Sequence, residues 1–285
     1  MAPMFSKGIL PSPRRFGYHM NAVGICAAAV VCFWAVVAVV GPMLSPYPPG
    51  EIVDFDYYGP MSSTLWMGSD YLGRDIFSRI LMGARYTVGI SLAAVCLACF
   101  SGVVLGMTAA VVGGWLDTGL SRLLDALNSI PSKLFGLVMV AAIGSSIPVL
   151  IVLLGVIYTP GAFRFARALA VNINTMDYVT VARARGERTG YLITQEILPN
   201  ITGPVLADLG LRFVFIVLLL SGLSFLGLGV QPPNADWGSL VRENIGGLPF
   251  GAPAVLMPCL AIASLTISVN LLIDNLPVKI RDRSE

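Results

Sequence analysis

Six long apolar stretches alternate with shorter polar segments along the chain, and each stretch is close to the length of a membrane-spanning helix. A bilayer core takes about 20 apolar residues in helical form. The pattern therefore predicts six spans, at Ala22–Leu44, within Tyr86–Leu116, and at about Leu120–Ile143, Val149–Val171, Pro204–Val230 and Ala254–Ile273. Pro131 lies inside the third stretch and predicts a kink there, because proline lacks the backbone N–H that a continuous helix needs.

The composition supports an all-α integral membrane protein, since 56% of the 285 residues are hydrophobic and only 12% are charged. We expect one transmembrane domain at 22–276, with an N-terminal tail at 1–21 and a C-terminal tail at 277–285. The longer segments between spans fall at about 45–85, 172–202 and 231–253. A net charge of +2 is too small to indicate a nucleic-acid partner.

Basic residues are distributed unequally between the two sides of this six-span arrangement. With the N-terminus inside, twelve lysines and arginines lie in cytoplasmic segments and four in external ones, which satisfies the positive-inside rule. The twelve are Lys7, Arg14, Arg15, Arg122, Arg164, Arg167, Arg183, Arg185, Arg188, Lys279, Arg281 and Arg283, and the four are Arg74, Arg79, Arg85 and Arg242. Both termini and segment 172–202 are therefore expected in the cytoplasm, and segments 45–85 and 231–253 outside.

The chain shows no arrangement of residues that would carry covalent chemistry. It has one histidine, which excludes a histidine triad or a multi-histidine metal site. It also has no GxxxxGK[ST] sequence, so it does not bind ATP through a P-loop. We expect no catalytic, cofactor or metal site on this chain, and any nucleotide that drives it would be bound by another chain.

Polar residues inside the predicted spans allow two interpretations. Asp208 and Arg212 are four residues apart on one helix face, where they form either part of a pathway or, as we favour, an interfacial ion pair. Asp125 and Asn128 pose the same choice, and there we favour a pore-facing position because an unpaired acid avoids lipid. A stand-alone ion-coupled transporter or channel would place ionisable groups near the bilayer midplane, and the middles of the first, second, fourth and sixth spans lack charge.

Three sequence blocks resemble one family. Segment 178–200 is similar to the EAA motif of binding-protein-dependent ABC importer permeases, through Ala182, Arg183, Ala184 and Gly186 to Ile197, Leu198, Pro199 and Asn200. The block Met67–Arg79 resembles the Gly-Thr-Asp-x-x-Gly-Arg-Asp block of the DppC/OppC-type permeases, which serve dipeptides, oligopeptides and nickel. Ser224–Pro233, followed by Asp236-Trp237-Gly238, is similar to a further block of that group.

The resemblance implies a type I ABC importer permease fold of six transmembrane helices, with a cytoplasmic helix that couples to an ATPase. The residues expected to couple are Tyr178, Val179, Thr180, Val181, Ala182, Arg183, Ala184, Arg185, Gly186 and Arg188. Small residues at Ala182, Ala184 and Gly186 would allow close approach, and Gly186 can end the helix at positive φ. The three arginines could equally pair with acidic groups of the ATPase or anchor the loop near lipid headgroups.

The same resemblance implies partners and a location. The expected partners are a homologous second permease, two ATP-binding subunits that hold ATP and Mg, and an extracytoplasmic substrate-binding protein, all at the bacterial inner membrane. The external partner face is expected to include Asp70, Gly73, Arg74, Asp75 and Trp237. Di- or oligopeptides are the expected cargo, and nickel or metallophores, glutathione and opines are the alternatives within the family.

Overall fold

The computed structural model describes residues 21–250 and 253–275, and within them it contains helices and no β-strand. The predicted tails at 1–21 and 277–285 lie almost entirely outside the described residues. The helices are α1 (Ala22–Leu44), α2 (Ile76–Val112), α3 (Gly114–Asn128), α4 (Ser132–Ile143), α5 (Ile147–Asn174), α6 (Asp177–Ala184), α7 (Thr189–Tyr191), α8 (Leu198–Phe225), α9 (Trp237–Asn244) and α10 (Pro253–Asp274). A π-helical turn, Leu192–Ile197, joins α7 to α8, and a 3-10 turn, Ile245–Phe250, follows α9.

Five helices are long and apolar enough to cross a membrane, and α3 with α4 makes a sixth span if the pair is counted as one. The five are α1, α2, α5, the continuous helix Thr189–Phe225 and α10. The predicted spans match these helices, but several of their limits are shifted, and the fifth span begins at Thr189 rather than at Pro204. Helix α2 begins ten residues before Tyr86, inside the predicted external segment, and α8 ends at Phe225 rather than at Val230.

The third span differs from the prediction of one helix with a kink at Pro131. Helices α3 and α4 are separate and are bent by 83° relative to each other. The Ser129 N–H makes the last α-helical bond, to the Asp125 carbonyl oxygen, the Ile130 N–H bonds to Leu127 three residues back, and Pro131 has no N–H to continue the ladder. The stretch is therefore two helices with a break between them, and α3 on its own is an amphipathic helix of 15 residues.

Helices α2 and α5 form the centre of the bundle, and two glycines allow their close contact. A β-carbon at Gly102 would lie 2.5 Å from the Ala162 side chain, and one at Gly106 would lie 2.7 Å from the Phe163 carbonyl oxygen. This GxxxG spacing thus serves packing within the subunit. Residues of α1, α8 and α10 complete the main apolar core around this pair.

Candidate functional site

Helix α6 is a short helix between two long spans, and its sequence favours a helix of this length. Helix α5 ends at Asn174. Met176 has extended backbone angles and precedes Asp177, the first residue of α6. Asp177 in the first turn and Arg183 in the last turn complement the helix dipole. The structure therefore forms a separate helix in the segment that resembles the EAA motif.

Gly186 ends α6 with a Schellman motif. Its φ is +83°, its N–H donates to the Arg183 carbonyl oxygen at 3.0 Å, and the Glu187 N–H donates to the Ala182 carbonyl oxygen at 3.3 Å. The predicted helix end at positive φ is confirmed. A β-carbon at Gly186 would have no atom within 4 Å, so the glycine is required by the backbone conformation and not by space inside this chain.

One face of α6 is seated on the ends of the long helices. Val179 and Ala182 are fully buried and pack with Leu192, against Val111 at the end of α2 and Ile173 at the end of α5. In this conformation neither side chain is accessible to a partner, so the close approach predicted for Ala182 is made within the chain, and the part of these residues in coupling to an ATPase stays a prediction. Their small and medium size allows close packing within the chain, and the buried positions give α6 a fixed seat.

The other face of α6 and the turn after it are open. The eight remaining residues of the predicted coupling set are all exposed, namely Tyr178, Thr180, Val181, Arg183, Ala184, Arg185, Gly186 and Arg188. Val181 is apolar and 56% exposed, and it belongs to the same segment as the exposed arginines. A surface that combines exposed apolar and cationic groups is suited to a protein partner.

The three arginines of this surface are not equivalent. Arg183 donates from Nη2 to the Asn174 Oδ1 at 2.8 Å, and Asn174 donates from Nδ2 to the Ala110 carbonyl oxygen at 3.0 Å. Arg185 and Arg188 make no ion pair within the part of the chain that the structure describes. Arg183 therefore fixes α6 to α5 and, through Asn174, to α2, whereas the other two cations remain available. Sequence reasoning missed Asn174, which no motif singles out.

Asp208 and Arg212 form an ion pair within α8, and Arg212 also contacts α5. Arg212 donates from Nε to the Asp208 Oδ2 at 2.5 Å and from Nη2 to Oδ1 at 3.0 Å, and its Nη1 lies 3.4 Å from the Tyr158 carbonyl oxygen. A β-carbon at Gly161 would lie 2.5 Å from the Arg212 Nη1, so the glycine provides the space for the guanidinium. The geometry confirms the ion pair, while its interfacial position, as opposed to one in a pathway, stays a prediction.

Polar groups of α3 face α5. Arg167 makes a bidentate pair with Asp117, at 2.5 Å and 2.6 Å, which sequence reasoning did not identify. Asp125 is exposed and lies 3.8 Å from the Arg164 Nε, and Asn128 is exposed at the break before α4. The bidentate pair fixes the start of α3 to α5, while the residues near its end stay open.

A buried ionic cluster joins the two segments that were predicted to lie outside. Asp70 accepts from the Arg74 Nε and the Arg79 Nη1, both at 2.7 Å, and Glu243 of α9 accepts from the same two guanidinium groups at 2.7 Å and 2.9 Å. Burial disfavours the charged form of Arg74, but the two carboxylates outweigh it, so the pKa of Arg74 lies above its ordinary value. Sequence reasoning did not single out Arg79, the last residue of the block Met67–Arg79, or Glu243, which lies outside all three blocks.

The five residues predicted for the external partner face are buried, which corrects that prediction. Asp70, Arg74 and Asp75 are at most 8% exposed, Gly73 is also buried, and Trp237 is fully buried. Gly73 makes the turn at φ +74° and lies against the Asp54 carbonyl oxygen, where no side chain fits. These residues therefore hold the segments predicted to be external in place, and they do not form an exposed face.

Asp75 and Trp237 show how the external segments are attached to the helix ends. The Asp75 carboxylate caps α2 by accepting from the Ser78 N–H at 2.8 Å. The Trp237 indole donates to the Ile80 carbonyl oxygen at 3.1 Å and packs edge-on against Trp34 of α1, with 4.7 Å between the ring centroids. One indole thus ties α9 to both α2 and α1.

The comparisons with known proteins agree with this geometry. Residues 102–282 match the family described as binding-protein-dependent transport system inner membrane component. The chain is 31% identical over 256 residues to the glutathione transport system permease protein GsiD of Pectobacterium atrosepticum, covering 89% of this chain and 85% of that relative. It is 30% identical over 267 residues to the dipeptide transport system permease protein DppC of Haemophilus influenzae, covering 92% and 90%. The chain therefore belongs to the family of multi-pass inner membrane permeases of binding-protein-dependent transport systems.

Proposed function

We propose that this chain forms half of the translocation pathway of an ATP-driven importer for short peptides. The observation that carries this proposal is α6, a helix seated on the ends of α2 and α5 and on the turn before α8, with an open face of exposed apolar and cationic residues. Such a helix can transmit the movement of a bound ATPase to three spans at once. The relatives named for dipeptide and glutathione transport support a peptide cargo.

The assembly proposed contains a homologous second permease, two ATP-binding subunits and an extracytoplasmic substrate-binding protein. ATP and Mg are held by the ATP-binding subunits, since this chain has no P-loop. Closure of the ATPase pair moves α6, and the cavity between the permeases then opens to the loaded binding protein. The chain itself does no covalent chemistry.

Two measurements test this assignment. The purified chain is expected to hydrolyse no ATP alone, and the complex with its ATP-binding subunits is expected to hydrolyse ATP faster when the loaded binding protein is added. Hydrolysis by the isolated chain, free of ATPase subunits, would contradict the assignment. Failure of any ATP-binding subunit from the same source to copurify would favour a stand-alone transporter.

The cargo is tested on the binding protein, because recognition of cargo in such systems begins there. Calorimetry with dipeptides, tripeptides, oligopeptides, glutathione, a nickel chelate and an opine is expected to give the tightest binding for a short peptide. Glutathione, itself a modified tripeptide, is the second candidate because of the relative named for it. Tight binding of a nickel chelate or an opine alone would replace the peptide proposal.

The proposed orientation has both termini and α6 in the cytoplasm, as the distribution of basic residues requires. On a cysteine-free background, a cysteine at Ser62 is expected to react with a membrane-impermeant reagent in intact cells, and a cysteine at Thr189 is not. Both positions are exposed in the structure, so that reactivity reports the side of the membrane and not burial. The reverse pattern of labelling would refute the orientation.

A further inference from the structure

The break between α3 and α4 lies close to the middle of the membrane. A cavity of about 160 Å³ at the break is lined by Asn128, Pro131 and Ser132, and on the α5 side by Val156 and Ile157. Val156 is the tenth residue of α5, which places it about 15 Å along that helix at about 1.5 Å per residue. Since the apolar core of a bilayer is about 30 Å thick, the break is at about mid-depth.

The backbone at this break is exposed in the single chain. Ser129, Ile130 and Pro131 lie outside any helix and are exposed. Non-helical backbone at this depth is tolerated only where it is buried in protein or lines water, because lipid cannot satisfy its polar groups. The break therefore faces either a partner subunit or a water-filled passage, and it does not face lipid.

The side chains around the break indicate that it faces water rather than a partner subunit. Asp125 is exposed one turn before it, with Arg164 at 3.8 Å, and Asn128, Ser129 and Ser132 continue the polar surface across it. The centre of a tight subunit interface is depleted in charged residues. An exposed surface with a carboxylate, an amide and two hydroxyls is instead what a hydrated wall requires.

Lys133 adds a charge to this surface. It is the second residue of α4, it is exposed, and among the described residues it makes no ion pair. A lysine near mid-depth is costly unless it reaches water or an anion. The start of α4 carries the positive end of the helix dipole as well, so that the local field attracts anionic groups.

We propose that the α3–α4 break forms part of the wall of the water-filled passage, and that Lys133 attracts the carboxylate of the cargo as it crosses mid-membrane. This inference rests on the proposed function, because it assigns the passage of that importer to named residues.

The first test measures whether the break is in water. A cysteine at Ser132, on a background in which the five native cysteines are replaced, is treated in the assembled transporter in lipid nanodiscs. The probes are an anionic reagent, sulfonatoethyl methanethiosulfonate, and a cationic one, trimethylammonioethyl methanethiosulfonate. Val36→Cys is the matched control, because this residue lies well inside α1 and is 59% exposed on an uncharged helix. We expect Ser132→Cys to react with both reagents and Val36→Cys with neither.

The second test measures the charge of Lys133. In the Ser132→Cys protein, Lys133→Met is expected to lower the ratio of the anionic to the cationic reaction rate several-fold, because loss of a nearby unit charge weakens the attraction of the anionic reagent and the repulsion of the cationic one. Lys133→Arg keeps the charge and is expected to preserve the ratio. An unchanged ratio in Lys133→Met would overturn the role of Lys133.

The outcomes separate this inference from the proposed function. If Ser132→Cys does not react while Ser62→Cys in the external segment does, the break does not line the passage. Crosslinking of Ser132→Cys to the second permease, without reaction with either probe, would show that the break is covered by that subunit and would also overturn the inference. Failure of the proposed function would appear differently, as preparations that contain no ATP-binding subunits and show no transport.

Discussion

Replacement of Gly186 by aspartate is expected to weaken the contact between α6 and the ATPase while leaving the chain folded in the membrane. Gly186 has φ +83° and ends α6 by two backbone hydrogen bonds. A residue with a β-carbon in this conformation costs about 1 to 2 kcal/mol. No atom lies within 4 Å of the position, so the cost is backbone strain and not a clash within this chain.

The backbone strain at residue 186 is expected to lower the affinity of the ATPase for the last turn of α6. In the free chain that turn can relieve the strain by opening, and an ATPase that binds the closed turn must then restore it. A cost of about 1 to 2 kcal/mol corresponds to a reduction in affinity of roughly five-fold to thirty-fold. The seat of α6 on Val111 and Ile173 is not touched, so that membrane abundance is expected to stay at the level of the unmodified protein.

Two further variants separate strain from charge. Gly186→Asn has the same shape as Gly186→Asp without its negative charge, and Asn visits positive φ with similar ease. Gly190→Asp places the charge on the same loop at an exposed glycine with an ordinary φ and no atom within 4 Å. If the arginines of the open face dock to acidic groups of the ATPase, Gly186→Asp is expected to lose more coupling than Gly186→Asn. If they are lipid anchors, the two variants are expected to be equal.

The assay measures membrane abundance, copurification of the ATPase subunits and stimulation of ATP hydrolysis by the loaded binding protein, together with transport. Normal abundance with normal stimulation and transport in Gly186→Asp would refute the argument that α6 is the coupling element. Loss of abundance in all three variants would instead indicate that the loop is required for folding.

Two more predictions concern stability, measured as the midpoint of thermal unfolding of the purified chain in detergent. Asp70→Asn is expected to destabilise the chain by about 3 to 5 kcal/mol, because it leaves buried guanidinium groups without a full partner, whereas Asp56→Asn on the exposed surface is expected to change stability by less than about 0.5 kcal/mol. An equal effect of the two would show that the ionic cluster contributes nothing. Gly106→Ala is expected to destabilise, since its β-carbon would lie 2.7 Å from a backbone oxygen of α5, and Gly89→Ala, at a helical position with no atom within 4 Å, is expected to stabilise by up to about 1 kcal/mol. Equal shifts at the two glycines would contradict the close α2–α5 contact.

The features that depend on local sequence were predictable. The length of an apolar run sets the position of a span, and the i, i+4 spacing of Asp208 and Arg212 is sufficient to place them in one ion pair. The conformation of Gly186 could also be predicted, because a glycine after a short helical run commonly provides the αL residue of a helix end. Each of these features needs only residues that are close together in sequence.

The features that depend on distant residues were not predictable. The burial of Asp70 requires Glu243, which is 173 residues further along the chain and carries no motif that points to it. Val179 and Ala182 belong to a segment that resembles a partner-binding motif, and only the packing of α6 on Leu192 shows that they face inward. Pro131 indicated a disturbance of the helix, but nothing in the local sequence gives the 83° angle between α3 and α4.

The position of α6 explains how one short helix can act on the whole bundle. Its buried cluster includes Val111 of α2, Ile173 of α5 and Leu192 before α8, and Arg183 adds a polar link through Asn174. Helices α2 and α5 are locked together by their glycine contacts, so a force applied to α6 is shared by both and is not absorbed by bending of one helix. At the opposite end of α2, the ionic cluster and the Trp237 indole bind α9 to the same helix. Under the proposed coupling, a movement that begins at α6 would be carried along α2 to the segments predicted to lie outside.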